Sequence, residues 1–364
     1  MRIFFFFVFI IFSCSKKNES PGELDQKVQR ILSQMTLEEK VGQMTQINLT
    51  VIAKGPNKWK SKFPLEINLK RAKKALIDYK VGSVLNTINN TALSPEVWYK
   101  TISLIQKYAI DSTRLKIPVI YGIDAVHGTT YTDGATMFPH QITTAASWNP
   151  ENAYNMAMVC AYETRASGIP WNFSPVLDLD QNSSSIIGDR AFSDQIDIVI
   201  DCARAFIYGM NEAGMACVGK HFPGHGSISE DSHIEKPIDQ RTLNEIENKD
   251  LIPFKELINN LDGIMTAHIL FSEVDTSIAT FSKVWIKQIL KEQMKFEGMI
   301  FSDDLSMEGT NEFISFYDKT KNAINSGCEM ILICNNREGV KDALKYLHDR
   351  QPSLCHRDVK SLNF

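Results

Sequence analysis

The stretch Lys220–His233, KHFPGHGSISEDSH, gathers a lysine, three histidines and two acids among glycine, proline and serine. Asp231 and His233 stand two apart. In an extended segment their side chains leave on one side, so the carboxylate can hold the imidazole, select its tautomer and raise its basicity. Such a pair moves protons. The same stretch also offers His221, His225, His233 and Asp231 as ligands of the kind zinc takes. Their spacing matches neither a helical H-E-x-x-H pair nor a finger pattern, and the glycines on both sides of His225 suit a mobile loop. No metal and no cofactor is expected. A plain polar turn is the third reading of a segment so rich in Gly, Pro and Ser. A second chemical centre is GMIFSDDLSMEG, where Asp303 and Asp304 follow an apolar run. Successive strand residues point to opposite faces, so one carboxylate is expected to face a pocket and the other to cap the next helix.

These groups need a scaffold that brings them together. Short apolar runs recur eight times: VGQMTQI, VGSVLNT, IPVIYGID, IPWNFSPVLD, ACVGKHF, GIMTAHI, GMIFSDD and CEMILIC. Longer segments with helical spacing separate them, such as NPENAYNMAMVCAYETRAS and FSKVWIKQILKEQMKF. Strands alternating with helices imply a parallel sheet, and eight units in 364 residues imply an α/β protein of the (β/α)8 TIM-barrel type. Asp124 ends the third run, Asp178 the fourth, Lys220 and His221 the fifth and Asp303 the seventh, while His268 lies in the sixth. A barrel would gather all of them on one face, whereas an open doubly wound sheet would scatter them along a crevice. No G-x-G-x-x-G follows the first strand, so nothing supports a dinucleotide. Before that strand, Thr36 and Glu39 in TLEEKVGQM have the spacing of a capping box.

Composition agrees with a globular protein: 43% of residues are hydrophobic and 23% charged. The net charge of -4 is small and the basic residues are dispersed, so no nucleic-acid partner is expected. Seven cysteines occur without a C-x-x-C, and Cys217, Cys328 and Cys334 fall in apolar runs as small buried hydrophobes would. The N-terminus differs. MRIFFFFVFIIFSC has one basic residue, then an apolar run from Ile3 to Phe12 that is too short to span a bilayer. It fits an export signal. Its end, IFSC, has the form of a bacterial lipobox, with Cys14 as the acylated residue. Residues 1–14 are therefore expected to be a lipoprotein signal and 15–23 a flexible tether, placing the protein outside the cytoplasm on a lipid anchor in a bacterial membrane, periplasmic or at the cell surface.

The chain resembles the N-terminal catalytic barrel of glycoside hydrolase family 3. The motifs that carry the resemblance are TLEEKVGQM, IPVIYGIDAVHG, ATMFPHQI, WNFSPVLDLD, IIGDRAFS, VGKHFPGHG, DSHIEKP, MTAHI and FEGMIFSDDLSM, in the family's order, from Leu24 to Asn335. The resemblance implies a barrel over residues 24–350 and a retaining mechanism with Asp303 as the carboxylate nucleophile. A branch acting on N-acetylglucosaminides carries its acid/base as a D-x-H dyad after strand five, which corresponds to Asp231 and His233. Asp124, Arg190, Lys220 and His221 match positions that bind sugar hydroxyls. The implied substrate is an oligosaccharide: peptidoglycan fragments, chito-oligosaccharides or β-glucosides. The first half, through IPVIYGIDAVHGTTYTDGATMFPHQITTAASWNP, is more similar to the family's two-domain β-glucosidases. The tail 351–364 departs from the usual closing helix, as a truncated C-terminus would. Three functions thus stand: a β-N-acetylhexosaminidase, expected first on the dyad; a β-glucosidase with the same nucleophile; and an inactive glycan-binding lipoprotein.

Overall fold

A computed structural model describes residues 21–56, 60–181, 186–334 and 336–349. The apolar run Ile3–Phe12, Cys14 and the tail 351–364 lie outside the described residues. The first described element is a helix, Pro21–Gln34, so Pro21, Gly22 and Glu23 belong to that helix and not to the tether.

Each of the eight apolar runs contains one strand: β1 Thr45–Asn48, β2 Ser83–Leu85, β3 Ile120–Ile123, β4 Trp171–Asn172, β5 Ala216–Phe222, β6 Gly263–Thr266, β7 Met299–Phe301 and β8 Ile331–Ile333. Neighbours pair in parallel from β1 round to β7, and β8 pairs with β1. The ring closes where Phe301 bridges Met330 and the Ser302 N–H donates to the Met330 carbonyl at 3.0 Å. This is the expected (β/α)8 barrel. A separate two-stranded ribbon joins Ile238–Asp239 to Leu270–Phe271.

Alternation along the strands divides the core in two. Val84, Ile264, Ile300, Ile331 and Ile333 face the helices, while Leu85, Met265, Phe301 and Leu332 fill the barrel with Trp171 and Phe173. Phe301 sits between those two rings, with centroids 5.4 Å from Trp171 and 5.3 Å from Phe173. The interior is packed, so a ligand can enter only at its mouth.

The helices start where their sequences say. Thr36 and Glu39 form the capping box: the Thr36 hydroxyl accepts the Glu39 N–H at 3.3 Å and the Glu39 carboxylate accepts the Thr36 N–H at 2.9 Å. Ser94 and Asn149 cap Pro95–Ser112 and Pro150–Ala166, each with proline in the first turn. Val284–Gln293, which has helical spacing in the sequence, winds more widely as a π-helix. The described cysteines, Cys160, Cys202, Cys217, Cys328 and Cys334, are buried, and none is in a disulfide among the described residues. Among the described residues no helix is long and apolar enough to cross a membrane.

Candidate active site

All of the strand-end groups arrive at the C-terminal mouth of the barrel. Lys220, near the end of β5, is buried, and its Nζ donates to Asp124 Oδ1 after β3 at 2.7 Å. Asn86, after β2, completes that carboxylate: its Nδ2 donates to Asp124 Oδ2 at 2.8 Å, and its Oδ1 accepts the Asp124 N–H at 2.9 Å. Burial acts against ionisation of Asp124. Lys220, Asn86 and the charge of Arg190 outweigh it, so the carboxyl lies below its ordinary range. The result is a fixed ammonium–carboxylate pair, able to donate to one hydroxyl and accept from its neighbour.

His221 turns the other way. Its Nδ1 lies 2.7 Å from Asp178 Oδ2, and its backbone N–H also points at Asp178. The His225 N–H donates to the same carboxylate at 2.7 Å. A carboxylate that receives several N–H groups serves as an acceptor, so His221 carries its proton on Nδ1 and keeps Nε2 as an acceptor. Burial pushes the His221 imidazole well down, with the charges of Arg190 and Lys220 acting in the same sense, and the ring is neutral at pH 7.

Arg190 closes a short 3-10 turn, Gly188–Arg190, and its Nε–H donates to the Ile186 carbonyl at 2.8 Å. Its charge acts on Asp124, Asp178, His221 and His225, which places it on the same mouth.

Asp303 follows β7 and is partly exposed; its Oδ1 accepts the Asp304 N–H at 2.7 Å. Burial raises this carboxyl. The rings of His268, His221 and His233 and the Asp304 N–H more than offset that, and the group lies below the ordinary carboxylate range. It is therefore ionised at neutral pH, as a nucleophile must be. Asp304 is buried and does not cap a helix, contrary to the reading of the sequence. Its Oδ1 accepts the Ser306 N–H at 2.9 Å and the Cys334 N–H at 3.0 Å, tying the turn after β7 to the end of β8. The next α-helix, Phe316–Ser326, is capped by Ser315.

The Asp231–His233 pair forms, but across a turn at residues 232–234 and not in the extended segment expected of it. Asp231 Oδ1 accepts the His233 N–H at 2.8 Å and lies 2.8 Å from His233 Nδ1. The His233 side chain is 56% exposed, so the pair opens to solvent at the barrel mouth. Burial raises the Asp231 carboxyl, and its bonds to His233 bring it to a net position below the ordinary value.

The loop that carries the pair is docked on the loop after β7. Gly309 N–H donates to the Ser232 carbonyl at 2.9 Å, Glu308 N–H to the His233 carbonyl at 3.3 Å, and Lys236 Nζ to the Asn311 carbonyl at 2.9 Å. The glycines of PGHG do a different task from the mobility expected of them. Gly224 sits at φ +143 against Asp250, and a Cβ on Gly226 would overlap the Leu179 carbonyl oxygen. Both are close-packing positions.

Sequence reasoning passed over Asn86, Ser232 and Gly309, and saw Asp178 and His268 only as strand-end groups. Asn86 had a signal: it is an asparagine, a residue that tolerates the left-handed conformation it adopts at φ +54, placed next after the strand residues Ser83–Leu85. The others are recognisable only through their partners in space. Among the described residues no group of three or more His, Cys, Asp or Glu side chains is arranged to hold a metal ion. Cys14 lies outside the described residues.

A parallel barrel with an ionised carboxylate, a lysine–aspartate pair and a loop-borne imidazole–carboxylate pair on one mouth defines a (β/α)8-barrel hydrolase. Comparison with known proteins then gives the family. The description "Glycosyl hydrolase family 3 N terminal domain" matches residues 36–358. The chain belongs to glycosyl hydrolase family 3 and is a glycoside hydrolase. It is 42% identical over 257 residues to a beta-hexosaminidase of Haemophilus influenzae, covering 68% of this chain and 73% of that one. To a beta-hexosaminidase of Thiobacillus denitrificans it is 41% identical over 239 residues, 63% of this chain and 67% of that one. Among solved structures, NagZ from Neisseria gonorrhoeae in complex with N-trifluoroacetyl-D-glucosamine superposes with TM-score 0.70 at 27% identity, covering 86% and 88%. A family 3 beta-N-acetylglucosaminidase from Paenibacillus superposes with TM-score 0.79 at 28% identity; the match covers 89% of this chain but 61% of that longer one.

Proposed function

We propose that the chain is a retaining exo-β-N-acetylglucosaminidase, a β-N-acetylhexosaminidase, that works through a covalent glycosyl–Asp303 intermediate with His233 as acid and base. The observation that carries this reading is the Asp231–His233 pair, closed at 2.8 Å on a loop bonded to the one that begins at Asp303. With Nδ1 held by Asp231, Nε2 is the nitrogen that exchanges its proton. In the first step Asp303 attacks the anomeric carbon, the glycosidic C–O bond breaks, and His233 gives its Nε2 proton to the leaving oxygen. In the second, His233 takes a proton from water as the water displaces Asp303. Two inversions retain the configuration. Asp124, Arg190, Lys220 and His221 hold the hydroxyls of the terminal sugar in their fixed array.

The 42% and 41% identity to proteins named beta-hexosaminidase supports N-acetylglucosamine as that sugar, in peptidoglycan fragments or chito-oligosaccharides. The β-glucosidase-like motifs of the first half favour glucose as the second reading. The proposal includes location: export and anchoring by acylation of Cys14, motivated by the apolar run ending in IFSC.

One experiment tests both parts. Membrane and soluble fractions from cells expressing the wild-type and Cys14→Ser chains are assayed with paired nitrophenyl N-acetylglucosaminide and glucoside. The N-acetylglucosaminide should turn over at least about tenfold faster in kcat/KM. The activity should sit in the membrane fraction and leave it, or persist as uncleaved precursor, in Cys14→Ser. A glucoside preference replaces the first reading by the second, turnover of neither leaves a glycan-binding protein, and wild-type activity found wholly in the soluble fraction removes the anchor.

A further inference from the structure

We propose that His225 is a positioning residue for the proton transfer assigned to His233, acting through Ser232. The inference rests on the acid–base reading above and adds a residue which that reading does not use. His225 is 2% exposed, and its Nε2 lies 3.0 Å from Ser232 Oγ. Ser232 is equally buried, although it stands between Asp231, which is partly exposed, and His233, which is mostly exposed. One inward-turned serine thus fixes the point from which the dyad projects.

Four contacts make the line continuous. Asp178 holds the His221 ring at 2.7 Å and the His225 N–H at 2.7 Å, so the sugar-binding floor and the His225 backbone share one carboxylate. The His225 ring then reaches Ser232 Oγ, and the Ser232 carbonyl accepts the Gly309 N–H at 2.9 Å. Gly309 admits no larger residue there: a Cβ would stand 2.9 Å from the His268 carbonyl oxygen and 3.2 Å from the Ser232 oxygen. Ser232 is therefore gripped from the β5 side by a ring and from the β7 side by a backbone, between the nucleophile loop and the acid–base loop.

Packing alone does not call for histidine at 225. Its Nδ1 is buried without a partner among the described residues, a condition that an apolar side chain of similar size would avoid. Burial also pushes this imidazole down, so the ring stays neutral while His233 cycles its proton. A neutral ring beside Ser232 holds the dyad without competing with it for charge.

The test uses Ser232→Ala, His225→Leu and His225→Gln in the full-length chain, each alone and combined with His233→Ala. Each is assayed on an N-acetylglucosaminyl disaccharide, whose alkoxide leaving group needs a proton, and on the nitrophenyl glycoside, whose burst reports glycosylation without one. Ser232→Ala and His225→Leu should lower kcat on the disaccharide by about tenfold or more, a share of the 10²–10⁴ that general acid catalysis supplies. KM should change little, and the nitrophenyl burst by less than about threefold by the same reasoning. His225→Gln, which can still reach the serine hydroxyl, should retain most activity. In the His233→Ala background neither change should cost more on the disaccharide. Ser232→Ala, which removes one oxygen, keeps the test open should His225→Leu fail to fold, as melting curves would reveal. Equal losses on both substrates, losses that persist in full beside His233→Ala, or wild-type rates in Ser232→Ala would each overturn the role of His225 alone. If His233→Ala by itself slows both substrates equally, the acid–base reading falls and this inference with it.

Discussion

At the scale of single residues, two adjacent carboxylates that look interchangeable in sequence, and a lysine on another strand, have distinct surroundings. Asp303 and Asp304 are adjacent carboxylates, yet one is partly exposed and ionised at the barrel mouth, while the other spends its oxygens on Ser306 and Cys334. Lys220 lies near the end of its strand and Asp303 just beyond its own, but the Lys220 ammonium is committed to Asp124. Alanine variants separate these roles. Asp303→Ala should lower turnover by about ten-thousandfold or more with the melting curve unchanged, as for a lost nucleophile. Lys220→Ala should lower kcat/KM by roughly tenfold to a hundredfold on good and poor leaving groups alike, because it takes the ammonium from Asp124 and loosens the sugar without touching proton transfer. Added azide should not restore Lys220→Ala. Asp304→Ala should show its loss first in the urea midpoint. Near wild-type turnover of Asp303→Ala on a poor leaving group would remove it as nucleophile.

At the scale of elements, the site is built from two loops fastened to each other. The segment after β5 meets the turn after β7 through main-chain bonds from Glu308 and Gly309, and Arg241 pins its base by bonds to Ser227, Asp239 and Asp250. Gly, Pro and Ser enrichment reads as flexibility in sequence because those residues lack bulk. Here the missing bulk is what allows backbone to approach backbone. Gly226 is the clearest case, lying against the Leu179 carbonyl where a methyl group has no room. Gly226→Ala should therefore cost about 2–3 kcal/mol of unfolding free energy, or displace the loop and lower turnover on poor leaving groups. Urea denaturation and the disaccharide assay together read this. A variant unchanged in both would mean that the loop has room to move.

At the scale of the whole molecule, the barrel mouth carries an unusual load of buried histidine. His221, His225 and His268 each have burial as the largest influence, and each is held below the ordinary imidazole value. The sign follows from linkage. The unfolded chain protonates these rings near pH 6.5 and the folded chain only lower, so the unfolded state binds more protons in that window. Stability is full above about pH 6.5 and is lost as pH falls from there toward each depressed folded value. Three such groups should remove roughly 2–3 kcal/mol between pH 7 and pH 5.5. Asp178, Asp250 and Asp262 are raised by burial and act in the opposite sense, as pH falls through their raised folded values toward the unfolded carboxylate value. Urea midpoints at pH 7.5, 6.5 and 5.5 check this, and a flat series would mean that these rings are protonated in the folded state.

The sequence alone determined the architecture and the strand ends at which most of the polar site residues fall. Eight apolar runs of strand length, separated by helical spacing, leave little besides a barrel, because a parallel sheet must be covered on its outer face and closed to lose its edges. Strand-end residues named Asp124, Lys220, His221 and Asp303, and the two-residue step from Asp231 to His233 foretold their hydrogen bond, although it closes across an aspartate-type turn and not in the extended segment expected. Only the tertiary structure decided who shares a partner. That Asp178 serves His221 and His225, that Asn86 completes Asp124, and that Gly309 donates to Ser232 all join residues 38 or more positions apart or on different loops. Such pairings have no period and no local signal. They arise because barrel closure places strand ends within a hydrogen bond of one another, and a chain written in one dimension does not display that proximity.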